Sequence, residues 1–491
     1  MAFNSILNKI FNLFILRRME GINQFIEHPI ETQQRVLFSL LSQAKNTEYG
    51  KLHHFEGIKS YEDFNKQVPI VSYEDFEPFI EKARQGNPDV FWPGKIKHFA
   101  KSSGTTNAKS KFIPISDESL QNCHYKAGKD LLAIYINNHK DSNLFKFKNL
   151  RLGGSAELYE SFGTKFGDLS AILIENLPFW VERPTTPSRE VSLMSEWETK
   201  LKAIVSEVKN KDVGSLTGVP SWMMVLLQRV LKDTGKKSIS EVWPNLEVFF
   251  HGGISFVPYR EQYKQLIGKD IRYYEIYNAS EVFFGIQDRF GSDEMLLMLD
   301  YGIFYEFIPM DTFGTENAKA VSLENVELGK NYAVVITTNG GLWRYLIGDT
   351  IRFTDLKPFR FKISGRTKHY INAFGEELMI DNVEAALSKA CQETNAKITD
   401  YTGAPVYMKD GESGSHEWMI EFSTEPNDFG RFSEIFDETL KSLNSDYEAK
   451  RYNNMTLKPP IIHKARTNLF YDWMASRGKL GGQNEDLQNK W

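Results

Sequence analysis

The chain has 491 residues, of which 41% are hydrophobic and 25% are charged, the ordinary balance of a globular protein. This balance excludes disordered, collagen-like and coiled-coil chains, and the length predicts at least two domains. The net charge is only −5, and the two cysteines are too few for a disulfide framework, so nothing in the composition indicates a nucleic-acid partner, an anionic membrane or an oxidised scaffold.

The first 26 residues carry apolar side chains at helical spacing, among them Phe3, Ile10 and Phe14. Its apolar-rich part is interrupted by polar residues and covers only about 15 residues, whereas roughly 20 are needed to cross a bilayer, and no signal-peptide cleavage pattern follows. It predicts an amphipathic helix docked on the core, with a helix on a membrane surface as the alternative. We therefore expect a cytoplasmic protein without membrane insertion.

Periodicity predicts a helical, loop-rich region over 22–90 and a second helical region over 195–232. From residue 245 onward, short runs rich in β-branched and aromatic residues predict strands. These runs are NLEVFFHGG, IRYYEIYNAS, MLLML, YGIFYEFIP, NYAVVITT, LWRYLIGDTIRF and FRFKIS. The segment Thr338–Gly341 predicts a hairpin turn, because Asn-Gly tolerates a positive φ.

After residue 357 helices and strands alternate. One helix is predicted to begin at Asp381 and another to span Phe429 to Leu443, with strands near 400–407, 416–423 and 456–463. The fold class predicted is α/β: a large N-terminal domain, 1–357, with mixed β-sheets flanked by helices, and a small C-terminal α+β domain, 358–491. The segment TDLKPF, within 354–366, is interpreted as the linker between them.

The segment from Lys101 to Lys111 lies between two apolar runs and is predicted to be a loop. It contains four hydroxyls and one glycine in succession: Ser102, Ser103, Gly104, Thr105 and Thr106. With Lys109 and Lys111 close behind, these donors suit a polyphosphate, although the Walker A pattern is absent. For this segment alone, a solvated Ser/Thr loop is the alternative.

Two carboxylates follow predicted strands. Glu281 ends the run YYEIYNASE, where a carboxylate can hold Mg²⁺ beside substrate phosphates. Asp349 follows Gly348 at a strand end, where a carboxylate can accept the two hydroxyls of a ribose. A solvated glutamate and a turn-forming aspartate are the alternatives when each motif is taken alone.

In this order, the three segments resemble the signature of the adenylate-forming superfamily, which includes acyl-CoA synthetases, peptide adenylation domains and luciferases. The segments SSGTTNAKSKFIP, HGGISFVPY, SEVFFG, LWRYLIGD and GRTKHYINAFGEEL are similar to those of the auxin-responsive acyl-acid amido synthetase family, especially its bacterial branch. The resemblance covers nearly the whole chain. It implies the adenylate-forming fold, in which the small C-terminal domain is mobile about a hinge at 366–368.

The resemblance also implies which residues bind ATP. The hydroxyl-rich loop and Lys111 would embrace the phosphates, with Lys109 competing for the role of Lys111. Two groups would flank adenine, namely Gly252, Gly253 and Ser255 on one side and Tyr277, Asn278 and Ala279 on the other.

Further roles follow from the same resemblance. Ser280 would contact a phosphate or the acyl carboxylate, and Glu281 would coordinate Mg²⁺. Asp349 would hold the ribose hydroxyls, assisted by Arg366 from the hinge. Lys479 is the nearest candidate for the late lysine that serves the first half-reaction, and Lys490 is a poorer one.

Three apolar segments are expected to form the acyl pocket, with a purely structural role in the core as the alternative. They are Leu120–Tyr135, Leu216–Trp222 and Phe283–Phe284. The chain also departs from the family pattern at two places. Leu346 stands where many members have arginine, with Arg344 two residues before it, and the tail after Gln483 differs, which could mean reduced adenylation.

The implied activity is that of an acyl-acid amido synthetase. A carboxylic acid would be activated with ATP as an acyl-adenylate, pyrophosphate would leave, and an amino acid amine would then form the amide and release AMP. An acyl- or aryl-CoA ligase and a non-catalytic descendant that binds nucleotide or acyl ligand are the alternatives. The acid, the amine, the base that takes the ammonium proton and the oligomeric state are left open.

Overall fold

A computed structural model describes most of the chain. The described residues are 12–102, 111–153, 158–177, 182–194, 196–253, 256–367, 371, 378, 380–406, 413–444, 447–448, 451 and 457–477. They divide into two compact units. The first unit comprises Met1–Phe256, Glu261–Ile347 and Ile351–Lys362, and the second comprises Val257–Arg260, Gly348–Thr350 and Ile363–Trp491.

Strands are numbered β1 to β19 in chain order. Those before residue 280 are β1 (His98–Ser102), β2 (Lys111–Ile115), β3 (Lys148–Arg151), β4 (Tyr159–Ser161), β5 (Thr164–Gly167), β6 (Thr185–Thr186), β7 (Val213–Gly218), β8 (Val248–Gly252) and β9 (Arg272–Asn278). Those after it are β10 (Phe283–Ile286), β11 (Met295–Leu297), β12 (Ile303–Pro309), β13 (Val321–Ser322), β14 (Asn331–Thr338), β15 (Tyr345–Leu356), β16 (Phe359–Arg366), β17 (Lys397–Val406), β18 (Ser415–Thr424) and β19 (Ile461–Ala465).

Several helices before residue 140 begin at clear sequence signals. Ser60 and Ser72 each form a capping box with the aspartate three residues later, which satisfies backbone N–H groups at the helix start. These helices are Arg18–Glu27, Pro29–Ala44, Glu48–Leu52, Tyr61–Gln67, Tyr73–Arg84, Asp117–Ser119, the π-helical turn Leu120–His124, and Tyr125–Asn138. The predicted helical, loop-rich region over 22–90 is confirmed.

The helices after residue 140 differ from the prediction in one region. They are Leu169–Glu175, Arg189–Ser192, Trp197–Val208, Pro220–Thr234, Ile239–Val242, Arg260–Ile267, Ile380–Thr394, Phe429–Leu443 and Leu469–Ser476. The predicted helical region 195–232 contains the helices Trp197–Val208 and Pro220–Thr234, but strand β7, which is not predicted, separates them. The buried run of β7 is short, and periodicity cannot separate such a run from a helical segment.

The large sheet has twelve strands in the order β13-β12-β14-β15-β16-β11-β10-β9-β8-β7-β3-β6. The five strands from β9 to β6 run parallel. Strand β8 is buried along its whole length, as expected for a parallel strand covered on both faces. The carboxyl ends of β3, β7, β8 and β9 therefore meet at one edge, the place where open α/β sheets bind ligands.

A second sheet of the first unit has four strands in the order β2-β1-β5-β4. Strand β1 runs antiparallel to β2 and parallel to β5. The seven strand predictions after residue 245 are confirmed by β8, β9, β11, β12, β14, β15 and β16. The molecule is thus the predicted α/β fold with mixed sheets and flanking helices.

The second unit has its own sheet and core. Its sheet has the order β17-β18-β19, with β17 antiparallel and β19 parallel to β18. Two helices pack against each other, Ile380–Thr394 and Phe429–Leu443, as predicted. Trp418 and Phe436 are both fully buried, with ring centroids 5.1 Å apart in an edge-on arrangement.

Two predicted connections differ from expectation. The segment TDLKPF is not an interdomain linker, because it forms the end of β15, a turn at 357–358 and the start of the neighbouring strand β16. The domain limits 1–357 and 358–491 stay a prediction. The turn after β14 is present at Asn339 and Gly340, but the positive φ angles belong to Gly341 and Arg344, so Asn-Gly does not supply the conformation.

The N-terminal helix is only partly within the described residues, since Phe3 and Ile10 lie outside them. Residues 12–16 are helical, and Ile15 packs against the core of the first unit. Phe14, however, is 66% exposed, so its predicted docking is wrong. Over the portion of the chain that the structure covers, no helix has the length and apolar character needed to span a membrane.

Candidate active site

The predicted adenine turn lies at the carboxyl edge of the parallel strands. Gly252 pairs with Ile276 across β8 and β9, and a Cβ on Gly252 would lie 2.3 Å from the Ile276 carbonyl oxygen. Gly253 has φ of +88°, a conformation that favours glycine. Only glycines therefore allow the chain to leave β8 this close to β9. Ser255 lies outside the described residues.

The turn between β9 and β10 contains the second adenine segment and the acidic residue. The Ala279 N–H donates to the Val282 carbonyl oxygen at 2.8 Å, which closes the turn over Ser280 and Glu281. Ser280 is buried and Glu281 is partly exposed. Asn278 is exposed at the end of β9.

Tyr277 is committed to packing. Its ring stacks on Phe284 with centroids 4.4 Å apart, and the residue is 7% exposed. The backbone of Tyr277 thus reaches the strand end beside Gly252, while its ring lies in the core.

The hydroxyl-rich loop connects β1 to β2. Ser102 pairs with Lys111, so Lys111 lies at the base of the loop rather than within it. The Lys111 ammonium is 5.4 Å from the Tyr73 ring centroid, and the Phe112 N–H donates to the Tyr73 hydroxyl at 2.9 Å. Ser103, Gly104, Thr105, Thr106 and Lys109 lie outside the described residues, so the choice between the two lysines stays open.

Asp349 and Arg366 belong to the second unit and contact each other there. The Arg366 Nε donates to Asp349 Oδ1 at 2.7 Å, and Asp349 is 14% exposed at its side chain. Gly348, with φ of +89°, accepts the Thr367 N–H at 2.7 Å. Asp349 lies inside β15 and not at a strand end as predicted, and the Arg366 guanidinium orients its carboxylate. Lys479 and Lys490 lie outside the described residues.

Arg344 is a structural residue. Its five N–H donors are all bound, two to Glu306 at 2.8 and 2.9 Å and the others to oxygens of Asn65 and Val68. Both Arg344 and Glu306 are almost fully buried. Arg344 therefore does not replace the arginine that many family members have at Leu346, whose side chain packs against an apolar cluster.

The three segments predicted to form an acyl pocket are largely buried. Phe283 and Phe284 belong to the core of the first unit, as do Leu120 and Tyr135. Trp222 is 6% exposed. Burial of Leu120, Tyr135, Phe283 and Phe284 in the core fits the structural alternative, and the acyl pocket stays a prediction.

Two ionisable residues near the strand ends are not among the predicted site residues. Lys200 is 1% exposed, and its ammonium donates to the Gly153 carbonyl oxygen at 3.4 Å. Asp168 follows β5 directly and is partly buried. A signal was present, because Lys200 stands three residues after Trp197 and four before Ile204, on the apolar stripe of its helix.

The described ranges contain no cluster of side chains that could bind a metal ion. They hold no group of three or more His, Cys, Asp or Glu side chains that could coordinate a metal ion. Mg²⁺ beside a nucleotide needs fewer protein ligands, because phosphates and water supply the rest. The partly exposed carboxylate of Glu281 fits that requirement.

The fold is that of the adenylate-forming enzymes. A "GH3.15 acyl acid amido synthetase" superposes with a TM-score of 0.77 at 18% identity over 96% of this chain and 92% of that one. A 2-hydroxyisobutyryl-CoA ligase in the postadenylation state superposes with a TM-score of 0.53 at 14% identity, over 92% and 85% of the two chains.

The chain belongs to the GH3 family. The family's N-terminal domain matches residues 18–271, its central domain 296–366 and its C-terminal domain 381–484. "Indole-3-acetic acid-amido synthetase GH3.2" of Arabidopsis thaliana is 23% identical over 79% of this chain and 83% of its own length. "Jasmonoyl--L-amino acid synthetase JAR6" of Nicotiana attenuata is 27% identical over 65% and 66%.

Proposed function

We propose that this protein is an ATP-dependent acyl-acid amido synthetase that joins a carboxylic acid to an amino acid. The observation that carries the proposal is membership of a family whose relatives bear that activity in their names. The sheet edge formed by Gly252, Gly253 and the turn 277–281 supports the proposal. Open α/β sheets bind nucleotides beyond the carboxyl ends of their parallel strands, and this edge leaves backbone atoms there for such a ligand. We also propose a cytoplasmic protein with domains 1–357 and 358–491.

The first half-reaction activates the acid. A carboxylate oxygen attacks the α-phosphorus of ATP, pyrophosphate leaves, and an acyl-adenylate forms. Negative charge builds on the phosphate oxygens in this step, and positioned donors stabilise it. In the proposal the hydroxyl-rich loop and Lys111 or Lys109 supply those donors, Gly252 and Gly253 admit adenine, and Asp349 accepts the ribose hydroxyls.

Mg²⁺, when bound, neutralises phosphate charge. Glu281 would hold it through a hard carboxylate oxygen, at the end of the same turn as Ser280. Ser280, buried beside Glu281, would donate to a phosphate or to the acyl carboxylate.

The second half-reaction forms the amide. The free amine attacks the acyl carbonyl carbon, the C–O bond to phosphate breaks, and AMP leaves with the bonding electrons. The C-terminal domain, turning about residues 366–368, would serve the two steps in different positions, as the superfamily resemblance implies. The reaction makes a C–N bond, and the nucleotide leaves as AMP because the phosphate is a far better leaving group than oxide.

The decisive experiment is acid-dependent exchange of pyrophosphate into ATP. A panel of indole-3-acetate, jasmonate, benzoate and 2,4-dichlorophenoxybutyrate would be assayed, followed by mass spectrometry after addition of the twenty amino acids or of CoA. Exchange with amide products supports the proposal. Exchange with a thioester and no amide would instead identify an acyl-CoA ligase, and nucleotide binding without exchange would identify a non-catalytic protein.

A single substitution tests the role of Asp349. Asp349→Ala should raise the KM for ATP about ten- to hundredfold, because hydrogen bonds to a charged partner are worth roughly 1.5–3 kcal/mol. The KM for the acid should change less. Asp311→Ala removes a surface carboxylate paired with Lys330 and is the control. Unchanged ATP dependence in Asp349→Ala would remove Asp349 from the site.

A further inference from the structure

Lys200 is a buried cation at the carboxyl edge of the large sheet. It lies on the helix Trp197–Val208 and donates to the carbonyl oxygen of Gly153, which stands two residues beyond the end of β3. The neighbouring strand β7 ends at Gly218, where a Cβ would lie 2.9 Å from the Leu152 carbonyl oxygen. The Lys200 ammonium is therefore at the same edge as the glycine turn of β8.

Asp168 supplies a negative charge nearby. It follows β5, whose Gly167 pairs with Ala100 of the parallel strand β1, so it stands next to Lys101 at the start of the hydroxyl-rich loop. Its Oδ2 is buried and has no hydrogen-bond partner among the described residues. A buried carboxylate oxygen without a donor is costly to folding, which points to a ligand rather than to a structural role.

The two charges affect each other. Burial raises the pKa of Asp168 to about 6, and the charges of Lys101 and Lys200 act against that rise. Burial lowers the pKa of Lys200 to about 8, and the charge of Asp168 acts against that fall. The charge of each group therefore influences the pKa of the other, and little solvent is present to screen the two charges.

A partly buried acid and a buried base that influence each other electrostatically complement a zwitterion. We propose that Asp168 and Lys200 form the subsite for the α-amino acid acceptor, with Asp168 accepting hydrogen bonds from the α-ammonium and Lys200 pairing with the α-carboxylate. This inference rests on the proposed amide synthesis. It explains how the site would select an amino acid over a simple amine, since an amine presents only one of the two charges.

The test compares acceptors that differ by one charge. L-Alanine, L-aspartate and L-lysine are each assayed against the corresponding α-carboxamide, with amide formation followed by mass spectrometry. The wild-type protein should prefer each amino acid. Lys200→Met should raise the KM for the amino acids about ten- to hundredfold and leave the carboxamides unchanged, whereas Asp168→Asn should weaken both.

Controls separate recognition from folding. Pyrophosphate exchange involves no amine, so both variants should retain it within about twofold. Lys200→Arg should restore part of the preference, because it keeps the positive charge. Lys209→Met and Asp233→Asn remove the two members of a Lys–Asp ion pair, 2.9 Å apart on the first unit, and should leave the preference intact.

Two results would overturn the subsite. One is a Lys200→Met variant with a lowered unfolding midpoint and an unchanged preference for the amino acids over the carboxamides. The other comes from saturation-transfer NMR in the presence of AMP: the subsite predicts binding of L-alanine but not of L-alaninamide or N-acetyl-L-alanine, and no preference would contradict it. Absence of exchange for every acid would count against the proposed function, and the NMR result would still decide the subsite.

Discussion

His124 is a buried imidazole within the π-helical turn Leu120–His124. It is 6% exposed, and its Nε2 has no hydrogen-bond partner in the described portion of the chain. Both of its neighbours in sequence are hydrogen-bonded: the Cys123 sulfur accepts the Phe283 N–H at 3.3 Å, and the Tyr125 hydroxyl donates to the Leu173 carbonyl oxygen at 2.9 Å. Burial lowers the pKa of His124 to about 4.

A pH-dependent stability follows from that depressed pKa. Between about pH 6.5 and 4 the unfolded chain binds a proton at His124 and the folded chain does not, so this group destabilises the fold as the pH falls. His124→Gln cannot titrate. From pH 7 to pH 5 the wild type should therefore lose about 2 kcal/mol of unfolding free energy relative to the variant, measured by urea unfolding of both proteins.

The wild type must be compared with His124→Gln because Asp168 changes the stability with pH in the opposite direction. Its pKa is raised to about 6, so the folded chain holds a proton that the unfolded chain loses, and its contribution to stability falls as the pH rises from about 4 to 6. The difference between the unfolding free energies of the wild type and of His124→Gln cancels this contribution, because both proteins contain Asp168. A wild-type-minus-variant difference that is constant from pH 7 to pH 5 would contradict the buried, neutral state of His124.

At the same scale, the sequence allowed some site residues to be predicted and hid others. Gly252 and Glu281 were found because their motifs lie next to strand ends. Lys200 was detectable, since it interrupts an apolar stripe. The role of Arg344 was not, because its partners Glu306 and Asn65 are 38 and 279 residues away in sequence, and no local pattern records such a pairing.

At the scale of elements, the strands after residue 245 were predictable because β-branched and aromatic runs alternate with glycine and asparagine. Strand β7 was not, because its sequence VGSLTG has two glycines and no alternation. The turn TDLKPF has the composition of a linker, and composition alone does not tell a turn inside a sheet from a connection between domains. Pairing partners decide that difference, and they lie elsewhere in the chain.

The close approach of β8 to β9 gives a prediction for Gly252. In Gly252→Ala the added Cβ would meet the Ile276 carbonyl oxygen at 2.3 Å, and this backbone atom has no rotamer that moves it aside. The strand ends must separate, and displacements of about 1 Å at a reacting site can cost about 10²-fold in rate. We expect pyrophosphate exchange to fall by that order.

Gly21→Ala is the matched control. Gly21 lies inside the helix Arg18–Glu27 with no atom within 4 Å of an added Cβ, so alanine should stabilise the protein by about 0.5–1 kcal/mol and leave exchange unchanged. Thermal unfolding and exchange would be measured for both variants. Full exchange activity in Gly252→Ala would exclude this edge as the nucleotide site.

For the whole molecule, each of the two units consists of several separate stretches of the chain. A single boundary in the sequence cannot describe such a division. Two short segments, Val257–Arg260 and Gly348–Thr350, belong to the second unit although the chain around them belongs to the first. A boundary drawn from composition assumes that each domain is one stretch of chain. The assignment of Asp349 to the unit that also contains Arg366 could therefore not be read from their separation in sequence.

The two half-reactions need different residues, and a substitution of Lys479 tests whether this lysine serves only the first of them. The five-coordinate transition state at the α-phosphorus arises only while the adenylate forms, so a cation that stabilises it should matter for exchange and far less for attack by an amine on a finished adenylate. Lys479→Ala should reduce pyrophosphate exchange about 10²–10³-fold. Amide formation from a synthetic acyl-adenylate should stay within about twofold of the wild type. Lys490→Ala is the control and should retain both reactions; wild-type exchange in Lys479→Ala, or an equal loss of both reactions, would show that the late lysine of the first half-reaction is another residue.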